Sequence, residues 1–191
     1  MARDSSVPQA TVLLSGGIDS ATVLALLKSQ GMQVRCLFVD YGQPAAEQEL
    51  AASSSIASHF LAPWSSVAIS GLKVPENDEI KGRNDLLIAL ATSCNPDAVI
   101  ALGTHAGTPY VDCSIIHHHA WQDLYDIQYN GVQRLLAPFI ERVKPEVFAL
   151  ARELGVPISL TYSCETSGGP CGVCVSCRDR SALDDGSDPR V

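Results

Sequence analysis

Between Val12 and Gly31 the chain reads VLLSGGIDSATVLALLKSQG, and residues 15–20 at its centre gather the means to hold a phosphate. Ser15 and Ser20 offer hydroxyl donors, and Asp19 adds a carboxylate. Gly16 and Gly17 let backbone N–H groups approach a ligand closely. A helix beginning near Asp19 leaves its first N–H groups unpaired, and those groups attract anions. The plainer account is an ordinary strand–turn–helix with Ser20 or Asp19 as N-cap. That account leaves unused the coincidence of two serines, two glycines and an aspartate.

A second cluster lies near the other end. SCETSGGPCGVCVSCRDR places Cys164, Cys171, Cys174 and Cys177 in the spacing C-x6-C-x2-C-x2-C. Overlapping C-x2-C units let thiolates converge on one ion across tight turns, for which Gly168, Gly169 and Gly172 supply the freedom. Four thiolates without a nearby histidine suit tetrahedral zinc, and an iron–sulfur cluster is the alternative. A closed shell of this kind folds the C-terminus and does no catalysis. The other three of the seven cysteines, Cys36, Cys94 and Cys113, are scattered. In a reducing compartment a crowded set reads as a metal site before it reads as disulfides.

The elements around these clusters are short and alternate. Residues 11–15, 33–40, 65–69 and 97–103 read as strands, as does the LLAPFI stretch at 135–140. Helical patterns cover 21–30, 44–61, 84–94 with Asn84 as cap, about 119–134, and 144–154. The stretches 71–82 and 104–119 read as irregular, and His117, His118 and His119 read as a half-exposed helix start. Strands alternating with helices predict an α/β fold, a doubly wound parallel sheet with ligands at the C-terminal ends of its strands. That arrangement brings together the loops at 15–20, 40–43, 71–85 and 103–112.

Composition narrows the partner. The 191 residues are 46% hydrophobic with a mean hydropathy of +0.12, enough for one globular domain with a substantial core. The formal net charge of −8 argues for a small substrate and against nucleic acid, which calls for a basic face. MARDSSVPQA has no apolar signal core and no run is long enough to span a bilayer, so no membrane partner and a cytoplasmic location are expected.

Taken together, these stretches resemble a known family. SGGIDS resembles the pyrophosphatase loop (PP-loop) of the ATP pyrophosphatases, the adenine nucleotide alpha hydrolase-like enzymes that cleave ATP to AMP and pyrophosphate. DYGQ at 40–43, GRN at 82–84, VDC at 111–113, KPEVFALARELGVP at 144–157 and the cysteine knuckle follow in the order seen in QueC, the 7-cyano-7-deazaguanine synthases. The resemblance covers residues 11–180. It implies one domain over 1–191, with a PP-loop nucleotide-binding core at 11–160, a zinc-binding segment at 161–180 and a mobile tail at 181–191.

It also implies an enzyme that uses ATP, magnesium and ammonia to turn the carboxylate of 7-carboxy-7-deazaguanine into an amide and then a nitrile. Ser15, Gly16, Gly17, Asp19, Ser20, Asp40 and Lys144 would hold the nucleotide, with Ser15, Asp19 and Lys144 serving catalysis. Arg83, Asn84 and Asp112 would face the deazaguanine, and the four cysteines would bind zinc. A homodimer is compatible with this reading, which leaves the oligomeric state open. The chain departs from the family at Pro44, Ala45, Ser114 and Ile115 and is shorter around 70–82. Those departures keep open a divergent relative that stops at the amide or joins the activated base to another amine, even a protein amine, as in bacterial antiphage defence. A non-catalytic nucleotide-binding zinc module is a further alternative.

Overall fold

The computed structural model describes residues 9–75, 80–96 and 99–184, with backbone alone for 182–184. Five strands form one sheet: β1 (Gln9–Leu13), β2 (Gln33–Asp40), β3 (Trp64–Ala68), β4 (Val99–Ala101) and β5 (Leu135–Leu136). Their order is β3-β2-β1-β4-β5, and every pair is parallel. Val12 sits opposite Cys36 on one side and Ala101 on the other. The chain therefore winds outward in both directions from β1, which opens a crevice at the C-terminal ends of β1 and β4.

Alternation along each strand divides the core. Val12, Cys36 and Ala101 pack with Leu24, Leu27, Ile56 and Val147 on one face, while Leu13, Leu37 and Ile100 pack with Ile88, Ala91 and Tyr125 on the other. The first face carries α1 (Ile18–Ser29), α2 (Ala46–His59) and α5 (Lys144–Glu153). The second carries α3 (Arg83–Cys94) and α4 (Ile115–Gln128). With both faces covered, the strands read as continuous apolar runs. The doubly wound parallel sheet is as expected.

Element boundaries differ from the sequence reading in ways with local causes. Helix α4 starts at Ile115, not near 119, because the Ser114 hydroxyl accepts the His117 N–H at 3.2 Å and caps it. All three histidines thus lie within a helix, and successive side chains point about 100° apart. Asn84 is not the cap of α3; Gly82, at φ +69°, occupies that position. Strand β5 is two residues long rather than six, since Ala137 and Pro138 turn the chain and Pro138 has no N–H for a ladder. A sixth helix, α6 (Val175–Asp184), grows out of the cysteine segment and takes in 181–184, expected as tail. Residues 185–191 lie outside the described residues.

The cysteine segment is tied to the core. Arg180 on α6 donates to the Ile158 carbonyl at 2.8 Å and to the Thr161 hydroxyl at 2.8 Å. The Tyr162 N–H donates to the Gly16 carbonyl at 2.9 Å, so the segment leaves α5 directly across the glycine loop.

Candidate active site

The loop that follows β1 is shaped by its glycines. Gly16 adopts φ +88°, and a Cβ there would meet the Glu49 carbonyl at 2.7 Å, so α2 packs against bare backbone. Gly17 is the N-cap of α1, with no side chain closing that end. Its own N–H points to the Ser15 hydroxyl at 3.4 Å. Ser15 and Ser20 hydroxyls meet at 3.1 Å, and Ser20 also donates to the Gly17 carbonyl at 3.1 Å. Gly103, after β4, lets that strand end press on the first turn of α1, where a Cβ would meet Ser20 N at 2.8 Å.

Lys144 at the start of α5 reaches this turn, its Nζ 2.5 Å from Asp19 Oδ2. The other Asp19 oxygen, Oδ1, is buried and has no hydrogen-bond partner among the described residues. A buried carboxylate oxygen without a donor is suited to a cation or a ligand proton.

These groups open onto a cavity of about 350 Å³ at the crevice between β1 and β4. Ser15, Gly17, Asp19, Ser20, Lys144, Arg83 and Asn84 line it. Three other expected residues stand behind the wall. Gly16 faces α2. Asp40 accepts the Gly42 N–H at 2.9 Å and shapes the turn that presents Tyr41 and Gln43 to the cavity. Asp112 accepts the Asn84 N–H at 3.1 Å, and its carbonyl accepts the Asn84 side-chain amide at 3.1 Å. Asp112 therefore orients Asn84 instead of lining the cavity itself.

Pro44, Ala45, Ser114 and Ile115, the departures from the family pattern, are not among the lining residues either. Ser114 serves as a helix cap. The shortened 70–82 stretch includes 76–79, outside the described residues.

The structure adds lining residues that spacing did not mark. Glu49, from the first turns of α2, accepts the Gln43 side-chain amide at 2.8 Å. Burial pushes its carboxyl above the usual range, against the Gln43 hydrogen bond and the Arg83 charge. Cys113 is also driven up by burial and remains a thiol, which fits an inert role. His105, Glu165 and Arg180 are further polar residues of the wall. The single signal for them was position after a strand or inside the cysteine segment.

The four knuckle thiols converge as their spacing predicts, all Sγ atoms lying within 4.8 Å of one another. Tetrahedral zinc, with Zn–S of about 2.3 Å, brings its sulfurs to about 3.8 Å apart, close to the observed 4.0 Å between Cys171 and Cys177. Backbone N–H groups of Cys171, Cys174 and Cys177 donate to Cys164, Cys171 and Cys174 sulfurs at 3.3, 3.3 and 3.4 Å. Desolvation opposes the Cys164 thiolate, but donors from Thr166 and Cys171 outweigh it and hold its pKa at about 6. The donor set fits zinc or an iron–sulfur cluster. No helix among the described residues is long and apolar enough to cross a membrane.

Comparison with known proteins agrees with this geometry. The family model described as queuosine biosynthesis protein QueC matches residues 9–74 and 73–183. The 7-cyano-7-deazaguanine synthase of Synechococcus sp. strain RCC307 is 36% identical over 203 residues, 89% of this chain and 91% of that one. Its counterpart in Gloeothece citriformis is 32% identical, covering 94% of this chain and 93% of that one. Among solved structures, the tRNA thiolase NcsA of Methanococcus maripaludis with its iron–sulfur cluster matches with TM-score 0.57 and 17% identity, over 96% of this chain and 67% of that chain. NMN synthetase from Francisella tularensis matches with TM-score 0.55 and 19% identity, over 96% and 79%. At such identities the solved structures speak for the fold alone.

Proposed function

The chain belongs to the queuosine biosynthesis protein QueC family, and we propose that it is an ATP-dependent, AMP-forming carbon–nitrogen ligase converting 7-carboxy-7-deazaguanine to 7-cyano-7-deazaguanine. One observation carries the reading: the serine–glycine loop, the Asp19–Lys144 pair and Arg83 with Asn84 share a single cavity at the switch point of the sheet. A carboxylate resists attack by an amine, so its oxygen first displaces pyrophosphate from the α-phosphorus of ATP. Gly17 N–H, the Ser15 and Ser20 hydroxyls and Lys144 are the donors suited to the departing charge, and preorganised donors of this kind supply most of the catalysis in such transfers. Asp40 contributes through the Tyr41–Gln43 turn it shapes.

Ammonia then attacks the acyl carbon, and AMP leaves to give the amide. The amide oxygen then displaces pyrophosphate from a second ATP as the nitrogen loses one proton, and loss of AMP with the remaining N–H proton gives the nitrile. Asp19 Oδ1 is suited to magnesium, which when bound screens the phosphate charge. Arg83 and Asn84 face the base, and zinc on Cys164, Cys171, Cys174 and Cys177 holds the 161–180 segment onto the 11–160 core.

Incubation with 7-carboxy-7-deazaguanine, ATP, magnesium and ammonia, followed by mass spectrometry, tests the reading. The nitrile with two AMP per product is expected. A single AMP with the base ending as amide, or joined to another amine such as a protein lysine, would replace it with the divergent reading. ADP as the nucleotide product would reject both.

A further inference from the structure

His105, in the loop after β4, is a group that neither the sequence motifs nor the family pattern singles out. Its backbone is fixed: residue 105 bridges Phe139 in parallel, and the next N–H, that of Ala106, donates to the Arg142 carbonyl at 2.8 Å. This pairing carries the loop alongside the segment leading to Lys144. The ring is fixed as well, with Nδ1 2.7 Å from the Ala106 carbonyl. A carbonyl can only accept, so Nδ1 carries a proton, and in the neutral ring Nε2 is then a bare lone pair. His105 lines the same cavity as Asp19 and Lys144.

The carboxylates, Cys113 and the arginines on that wall are suited to other tasks. Asp19 gives one oxygen to Lys144 and keeps the other, Oδ1, for the cation it is suited to hold; Glu49 accepts from Gln43, and Glu165 accepts from the Ser176 hydroxyl at 2.6 Å. Cys113 stays protonated, while Arg83 and Arg180 are cations without a lone pair to give. Nε2 has no hydrogen-bond partner among the described residues. It is a ring nitrogen with an unclaimed lone pair at the cavity wall, held on rigid backbone.

We propose that His105 is the general base of the amide-forming step, an assignment that rests on the function proposed above. Ammonia attacks the acyl carbon and forms the C–N bond, leaving a positively charged nitrogen on a tetrahedral centre. Nε2 takes one proton from that nitrogen. The C–O bond to AMP then breaks with its electron pair on the phosphate oxygen, and the imidazolium returns the proton to water. Adenylation transfers no proton that requires His105, so the two half-reactions separate the role.

His105→Asn keeps an N–H donor where Nδ1 stood but offers no base, and His105→Ala leaves room for free imidazole. Pyrophosphate exchange into ATP, driven by 7-carboxy-7-deazaguanine, reads adenylation, and single-turnover amide formation with ammonium reads the second step. Both variants should keep exchange within about two-fold of wild type. Amide formation should fall by about 10²–10⁴-fold, and imidazole should restore it in His105→Ala. Equal loss of exchange and amide formation, or unchanged amide formation, overturns the assignment. Wild-type protein without exchange on this base overturns the substrate reading, and the assignment falls with it.

Discussion

Lys144 and Asp19 lie 125 positions apart in the chain and meet at 2.5 Å, joining the first turn of α5 to the first turn of α1. Each side chain is 24% exposed, so the pair borders the cavity and is only partly screened by water. Phosphate entering the serine–glycine loop would meet two helix N-termini and one ammonium at the same point. Lys144→Ala should therefore slow pyrophosphate release by about 10²–10³-fold, the scale of losing one preorganised donor to a developing charge. Circular dichroism should report an unchanged fold. A variant with near-normal release would remove Lys144 from the reaction.

Gly16 and Gly17 should respond differently to alanine. At Gly16 a methyl would strike the Glu49 carbonyl at 2.7 Å in a positive-φ conformation, and about 1–3 kcal/mol of stability should be lost. At Gly17 the nearest atom to a new Cβ is the Ser15 hydroxyl at 3.5 Å, so the fold should hold. Denaturant titration of both variants checks the contrast.

Asp112 caps the start of α3 by accepting the Asn84 N–H, and its removal should act through Asn84 and Arg83. Asp112→Ala should destabilise by about 1 kcal/mol, the usual loss for a side-chain helix cap, and raise KM for the deazaguanine. Asp112→Asn, which retains a carbonyl acceptor, should recover most of both. Equal damage from the two substitutions would mean that charge, not acceptance, is what Asp112 provides.

Glu49 provides a pH test. Burial raises its folded-state pKa above the unfolded value, so its favourable contribution is complete below the unfolded carboxylate pKa and is lost as pH rises through the folded one. Glu49→Gln preserves an acceptor for Gln43 and has no charge to desolvate. Its Tm relative to wild type should therefore climb as pH rises above the unfolded carboxylate value of about 4.3. A difference that stays flat with pH would show that Glu49 ionises without penalty.

Metal analysis should find one zinc per chain and a lower Tm after Cys174→Ser. A brown sample absorbing in the visible would instead identify an iron–sulfur cluster on the same four thiols. Metal-free protein of unchanged stability would show that the four thiols converge without needing an ion.

Features that depend on neighbours along the chain were legible in the residues alone. Alternation of Val12 with Leu13 and of Cys36 with Leu37 required strands covered on both faces, and those residues lie in two separate cores. SGGIDS and the C-x2-C units carry their geometry within a turn or two, so loop and knuckle were legible from spacing. Tertiary structure alone decided which side chains face one another across elements. Asp112 and Asp40 carried motif positions yet serve as acceptors behind the wall, while Glu49 and His105, outside the motifs given roles, line the cavity. Spacing sets where a Cα lies on its own element. The direction of a side chain, the tautomer of a ring and the burial of a carboxylate are set by the packing of the elements around it, as when Gly103 presses β4 onto α1 or the Ala106 carbonyl claims the proton of His105.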